Sequence, residues 1–544
     1  MEFTLSNLDL GIVLFYLVAV LCIGFYFGKK HEGAEDYFLA GRNLTWPIIG
    51  FSLFASNMSS NSLVGLAGAG YNEGFSVYSY EWMAVVVLIL FAVFFLPFYL
   101  KNKIFTIPEY LERRYSYATR AYASFIAIVL NILVDIAATL YAGGLVIQMI
   151  FPQYSLITII VFLAIIAGVY TITGGLSSVM YTDAIQAIIL ILGSALITYM
   201  AYVEIGGWES VYAITDPSHF KVMKPIDDQS MPWPSVFTGV LLLGFYFWGT
   251  NQYITQRTLA SKNIRQGQWG ALFAGFLKLS ILFIMIFPGA LARVIYPFAE
   301  LNEKGQPLVR ALDGSLMKLD AVYPSLLFDL LPTGLLGLVL AGLIAAMMSS
   351  LDSGLNSVST LITMDFVKKF KPDASSKSLM NTGRVITTVV MVIAILWAPQ
   401  IGGFEKLWDY LQNTLAWFCP PIVALFVMGL FVKKVNNTGA IASIVVGTLI
   451  TVWLIGQKMF FPEMKGVNFL YMAFIHFLVC CAVLLIGSIW GQNKPEAELA
   501  KVVWSSSDLS EETAALKAYP WYKNYRIQAV LLLVLLGIIL FIYG

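Results

Sequence analysis

The sequence predicts an all-α membrane protein of about fourteen spanning helices. Three observations carry that prediction. Of the 544 residues, 59% are hydrophobic and 12% charged, with a mean hydropathy of +0.78, far outside the soluble range. Apolar runs of about twenty residues recur almost end to end, each long enough for a hydrocarbon core about 30 Å thick. The runs lack the period-two alternation of barrel strands, and a helix satisfies its own backbone in lipid without closing on itself.

The first run, 9–28, follows an acidic start and has no small-residue cleavage site, so it reads as a helix rather than a removed signal peptide. Next come 45–70, 79–100, 121–150, 156–172 and 179–202. After a polar stretch at 203–233 follow 234–256, 270–292, 324–366, 382–399 and 407–431. The last three are 440–456, 467–489 and 527–543, with a surface helix near 509–518 in the polar loop 490–526. Cys22, Cys419, Cys480 and Cys481 all fall inside apolar runs with no metal-ligand spacing, and read as small core residues.

Charge orients this stack. With the N-terminus outside, the inward loops hold 22 of the 33 Lys and Arg, among them Arg113, Arg114, Arg257, Lys433 and Lys434. The outward loops hold 9, and Lys278 and Arg384 fall within segments. Positive loops stay inside, so both termini are expected outside. A net charge of +1 and the absence of a basic tract leave nothing suited to nucleic acid. The three histidines, His31, His219 and His476, are scattered, and no nucleophile–base pairing stands out, so an enzyme is not expected.

Two segments are interrupted by polar residues. The second carries Ala55-Ser56-Asn57-Met58-Ser59-Ser60-Asn61-Ser62, followed by Gly65, Gly68 and Gly70. Ser and Asn compete with the helix for its own backbone, so an unwound turn offering free carbonyls is expected, with a small-residue helix contact as the alternative. The seventh segment has Gly244 and Gly249-Thr250-Asn251-Gln252. The interruptions lie five segments apart, an odd spacing that reverses direction, as an inverted repeat of five helices requires. In the ninth segment Ser349, Ser353, Asn356, Thr360 and Thr363 step by four and three, forming one polar stripe. A water-lined exit path and interhelical hydrogen bonding both fit it.

DYFLAGRNLTWP at 36–47, ASNMSSNSLVGLAGAGY at 55–71, TIPEYLERRY at 106–115, TGGLSSVMYTDAIQ at 173–186, FWGTNQYITQRTLASK at 247–262 and AAMMSSLDSGLNSVSTLITMDF at 345–366 carry a resemblance. The chain resembles the sodium:solute symporters, closest to their sodium/glucose–galactose branch. The resemblance implies one transporter domain over 1–544. An extra helix at 9–28 precedes a five-plus-five inverted repeat of the LeuT-like kind, 45–202 and 234–431, and three helices at 440–543 follow. It also implies a multi-pass protein of the plasma (inner) membrane that moves a small sugar with Na⁺.

The family's sodium site maps onto the carbonyls of Ala55, Met58 and Ala346 and the hydroxyls of Ser349 and Ser350, with Asp183 nearby. Oxygen ligands suit a hard cation. For Asp183 a helix N-cap is the alternative reading. The family's sugar contacts map onto Asn57, Glu81, Lys278 and Gln412, with Ser62 where relatives carry an amide. Charged groups inside spanning helices are rare and usually functional. Tyr80, Trp248 and Trp408 match gate positions, and Phe247 replaces a gating tyrosine. Gly244 and Ala84 stand for an asparagine and a serine. Asp135 and Asp352 are further acids inside segments, each read as a second cation site or as an acid paired with a neighbouring hydroxyl. Inositol, sialic acid or an amino acid are alternative solutes, and a transport-inactive channel or sensor a more distant reading.

Overall fold

The computed structural model describes residues 5–27, 33–228, 230–302, 307–403, 407–460 and 467–544. Lys29, Lys30, Lys304, Lys406 and Lys465 of the charge count, and His31, lie outside them. Among the described residues, ten helices are long and apolar enough to cross a membrane. The sequence runs that fall short of that criterion are short or broken. Asn7–Phe27 and the first part of Leu156–Glu204 are further apolar helices.

The two polar tracts are where helices stop. The second segment divides into Trp46–Asn57 and Ser60–Glu73, with Met58 at φ −89°, ψ 67° and Ser59 extended between them. The seventh ends a π-turn at Tyr246–Thr250, passes through an extended Asn251, and restarts as Gln252–Leu259. The Asn251 side chain accepts from the Tyr253 amide, capping the new helix.

Segments five and six are joined without a loop. Helix runs from Leu156 to Glu204 and turns at Gly175, whose φ of +55° breaks it. A Cβ there would stand 2.6 Å from the Tyr37 carbonyl, so both the backbone angle and the close approach call for glycine. The ninth expected segment, 324–366, is two helices: a short Val322–Leu330 and the long Leu335–Leu361, which continues through a π-turn at Ile362–Val367. The loop before it holds a feature the hydropathy pattern does not reveal, a three-stranded antiparallel sheet of β1 (Phe298–Leu301), β2 (Pro307–Arg310) and β3 (Leu316–Lys318), ordered β1-β2-β3. The surface helix of the polar loop 490–526 is Ser506–Leu516.

The most extensive contact in the molecule is between Leu156–Glu204 and Leu335–Leu361. The N-terminal helix braces this pair. Asp9 accepts 2.7 Å hydrogen bonds from the Gly334 and Gly337 amides, placing a carboxylate at the N-terminus of Leu335–Leu361, where unsatisfied N–H groups and the helix dipole favour an anion. On the opposite side Trp46–Asn57 packs on Ile264–Lys278 through glycines. A Cβ on Gly50 would lie 2.5 Å from the Phe273 ring, and one on Gly270 2.6 Å from Ile49. Small residues let spanning helices approach closely where burial from water supplies no driving force. These contacts fix the long helix and the first broken helix against their neighbours, and both candidate sites lie at the breaks.

Candidate substrate and cation sites

One cavity gathers side chains from six stretches of chain. Its lining includes Asn57 and Ser62 beside the first break, Tyr80 and Glu81 from the next helix, and Phe247 and Trp248 from the π-turn before the second break. Lys278 closes the Ile264–Lys278 helix, and Trp408 and Gln412 come from Leu407–Phe431. The π-turns matter here: a one-residue bulge re-aims side chains that regular helix would point elsewhere. Asn131–Ile136 turns Asp135 into the same cavity in this way.

Lys278 and Glu81 are nearly fully buried, at 1% and 5% exposure. The Lys278 ammonium donates to the Glu81 carboxylate and to Asn57 Oδ1, and lies 5.1 Å from the centre of the Trp248 ring. A buried charge persists when it is paired and hydrogen-bonded, and this cluster supplies both conditions. The other wall is aromatic. Tyr80 and Trp408 meet edge to face at 5.4 Å, and Phe247 meets Trp248 at 5.3 Å. Trp408 Nε1 and Asn61 Oδ1 are buried without hydrogen-bond partners. The volume open to the centre of a water-sized sphere is about 100 Å³. One water needs roughly 10–15 Å³ by that measure, so the space holds about seven to ten water-sized groups, the scale of a monosaccharide.

Behind this cavity the break also meets the long helix. Trp46–Asn57 leaves its last carbonyls without helical partners. Phe54 O accepts from the Met58 amide. Asn57 O accepts from Ser62 Oγ at 2.7 Å, and Ser56 O from the Tyr253 and Ser350 hydroxyls at 2.6 and 3.2 Å. Ala55 is the remaining member of that turn, Met58 lies in the break, and Ala346 stands one turn before Ser350. Two oxygens here are buried without hydrogen-bond partners, Ser349 Oγ and Asp183 Oδ1, and Ser349 faces the Asp183 carboxylate. Orphaned buried oxygens beside unwound backbone are a donor set that fits a hard cation.

Asp183 lies eight residues past the Gly175 turn, inside the helix, so it is not an N-cap. Asp352 accepts from the Thr171 hydroxyl, as the blander reading of that acid holds. The polar stripe is buried along its length: Ser353 donates to Ser349 O, and Gln256 Nε2 donates to Thr360 Oγ1 at 3.1 Å.

Arg257 departs furthest from the sequence reading. Counted above as an inward-loop charge, it is 1% exposed, within Gln252–Leu259, and bonded to Ser52, Ser56 and Ser353. Arg114, another member of that count, is equally buried and donates to the carbonyls of Gly429, Val432 and Val435. Hydropathy cannot separate such residues from loop charges, because Arg257 directly follows the apolar run 234–256. The one available signal was the helical spacing of Tyr253 and Arg257, four apart after a break.

Comparison with known proteins gives a consistent answer. A family model described as the sodium:solute symporter family matches residues 37–447. The chain is 38% identical to the sodium/glucose cotransporter of Vibrio parahaemolyticus, over 82% of this chain and 84% of that protein. It is 32% identical to sodium/glucose cotransporter 1 of Ovis aries, over 94% of this chain and 82% of the relative. Among solved structures, a Na⁺-coupled sialic acid symporter in its substrate-bound, outward-open state superposes with a TM-score of 0.76 at 22% identity, covering 90% of this chain and 99% of that one. At that identity the likeness speaks to the fold.

Proposed function

We propose that this chain, which belongs to the sodium:solute symporter family, uses a sodium gradient to move a glucose- or galactose-like sugar through the cavity around Lys278. The protein is a membrane transporter, not an enzyme, and Na⁺ is its co-transported ion.

The observation that carries the sugar assignment is the Lys278–Glu81–Asn57 cluster facing Gln412 across a cavity walled by aromatic rings. A polyol presents hydroxyls that both donate and accept, and an ammonium, a carboxylate and two amides match both roles. Flat rings cover the C–H face of a sugar. Sodium is held by Ala55, Met58 and Ala346 through carbonyls and by Ser349 and Ser350 through hydroxyls, with Asp183 beside them. The first broken helix thus belongs to both sites: Asn57 touches the sugar side while Ala55 and Met58 serve the ion. Filling one site orders the backbone that the other uses, which is the physical basis of coupling.

Breaks five segments apart, at Met58 and Asn251, support a five-plus-five inverted repeat within about fourteen crossings. Hinges at those breaks and at Gly175 would let one set of helices rock against the other, exposing the cavity to each side in turn. The loop charges support both termini outside in the plasma membrane, even with Arg114 and Arg257 withdrawn from the inward count.

Uptake of labelled glucose, galactose, myo-inositol, sialic acid and amino acids into liposomes, with and without an inward sodium gradient, tests this reading. Sodium-dependent accumulation of a hexose is expected.

A further inference from the structure

Arg257 belongs to neither proposed site, yet it ties together every element that builds the sodium site. Its Nε donates to Ser52 Oγ at 2.9 Å, its Nη1 to the Tyr253 carbonyl, and its Nη2 to the hydroxyls of both Ser56 and Ser353. Asp183 Oδ2 lies 3.4 Å away. Those partners sit on Trp46–Asn57, Gln252–Leu259, Leu335–Leu361 and Leu156–Glu204, four helical elements held by one buried guanidinium. Its planar fork of donors suits such bridging.

The Asp183 carboxylate is divided between two neighbourhoods. Oδ2 accepts from Ser52 Oγ at 2.5 Å and Ser56 Oγ at 3.2 Å and faces Arg257. Oδ1 takes no part in those contacts, and the Ser349 hydroxyl lies near the same carboxylate. One carboxylate therefore stands between a fixed cation and the place where the mobile cation is proposed to bind. Two cations that share one anion weaken each other's hold on it.

We infer that Arg257 is a resident countercation of Asp183 that competes with the transported sodium and, while the sodium site is empty, latches the two broken helices to Leu335–Leu361. This rests on the sodium-site assignment proposed above. Arg257 is a positioning residue: it acts on the ion through Asp183 and on the gate through Ser56 and Ser353. Sodium entering beside Ser349 draws on the Asp183 carboxylate, loosens the guanidinium, and frees the helices to move. The same arrangement explains how Asp183 can sit deep in the protein without recruiting a second sodium, because its second cation is built in.

Two variants test this, Arg257→Gln and Ser353→Ala, the latter removing one anchor of the guanidinium while leaving every proposed sodium ligand intact. Both are purified into liposomes, and the sodium concentration giving half the sodium-induced change in tryptophan fluorescence is measured beside sugar-free sodium flux. Arg257→Gln is expected to lower the half-saturating sodium on the order of tenfold and to leak sodium without sugar, with a smaller shift of the same sign for Ser353→Ala. Adding Asp183→Asn to Arg257→Gln should cancel the gain. A purely structural Arg257 would instead weaken sodium and sugar binding together. Unchanged or raised half-saturation in a folded variant, against a native protein that responds to sodium, overturns the inference alone. If Arg257→Gln does not fold, Ser353→Ala decides it. A native protein with no sodium response overturns both this inference and the transport reading beneath it.

Discussion

The Lys278 ammonium and the Glu81 carboxylate form an ion pair almost entirely withdrawn from solvent, and Asn57 at the break of the first interrupted helix completes it. The pair sits on two neighbouring helices, Ile264–Lys278 and Tyr78–Leu90, and its third member belongs to the helix that also frames the sodium site. Removing one partner strands the other's charge, at a cost of about 3–5 kcal/mol, whereas removing both costs less. Lys278→Met and Glu81→Gln are each expected to lower the melting temperature of the purified protein, and the double variant to recover part of the loss. A double variant as unstable as the sum of the two would show that each residue is held by other contacts.

Gln412 bears on the sugar without joining that pair. A hydrogen bond lost inside the cavity leaves its partner unsatisfied, worth about 1–3 kcal/mol, or roughly a 5- to 150-fold loss of apparent affinity. Gln412→Ala should lose sugar affinity by that factor while its sodium dependence changes only through linkage. Sugar-binding titrations at saturating sodium measure it. An unchanged affinity would remove Gln412 from the site.

Much of this arrangement was legible in the sequence, and the limits have physical causes. Runs of small polar residues inside apolar segments marked both helix breaks, because Ser, Asn and Gly disfavour regular helix wherever they cluster. Lys278 and Glu81 stood out because ionised groups are costly in hydrocarbon. Arg257 did not, because a charge beside a segment end looks the same whether it meets water or a buried carboxylate. The Gly175 corner falls in the gap between the runs 156–172 and 179–202, since positive φ leaves no trace in hydropathy. The β1–β3 sheet was missed because its strands are three or four residues long and lie in a polar connection.

Ser350 links the two helices that frame the proposed sodium site through its hydrogen bond to Ser56 O. Ser350→Ala removes a hydroxyl ligand and should raise the sodium concentration for half-maximal uptake several-fold, with accumulation falling toward equilibration. Sodium-titrated uptake reads both quantities, and a native half-saturation in a folded variant would exclude Ser350 as a ligand.

The orientation proposed from the loop charges is open to direct labelling. In a background lacking native cysteines, Asp313→Cys beside the β-sheet and Lys434→Cys between two C-terminal segments are both exposed. An impermeant thiol reagent added to intact cells should modify position 313 and spare position 434. The reverse pattern would invert the assignment.

The ratio of sodium to sugar tests the account most directly. One Na⁺ entering at about −100 mV releases roughly 2.3 kcal/mol. A tenfold concentration gradient adds about 1.4 kcal/mol, enough for an accumulation of a neutral sugar on the order of 500-fold. With Asp183 already facing the Arg257 guanidinium, one ion per sugar is expected. Reversal-potential measurements on sugar flux in liposomes holding the native protein give this ratio. A value of one is the predicted result. A value of two would contradict the single-ion site, and a sugar flux whose reversal ignores sodium would contradict sodium coupling itself.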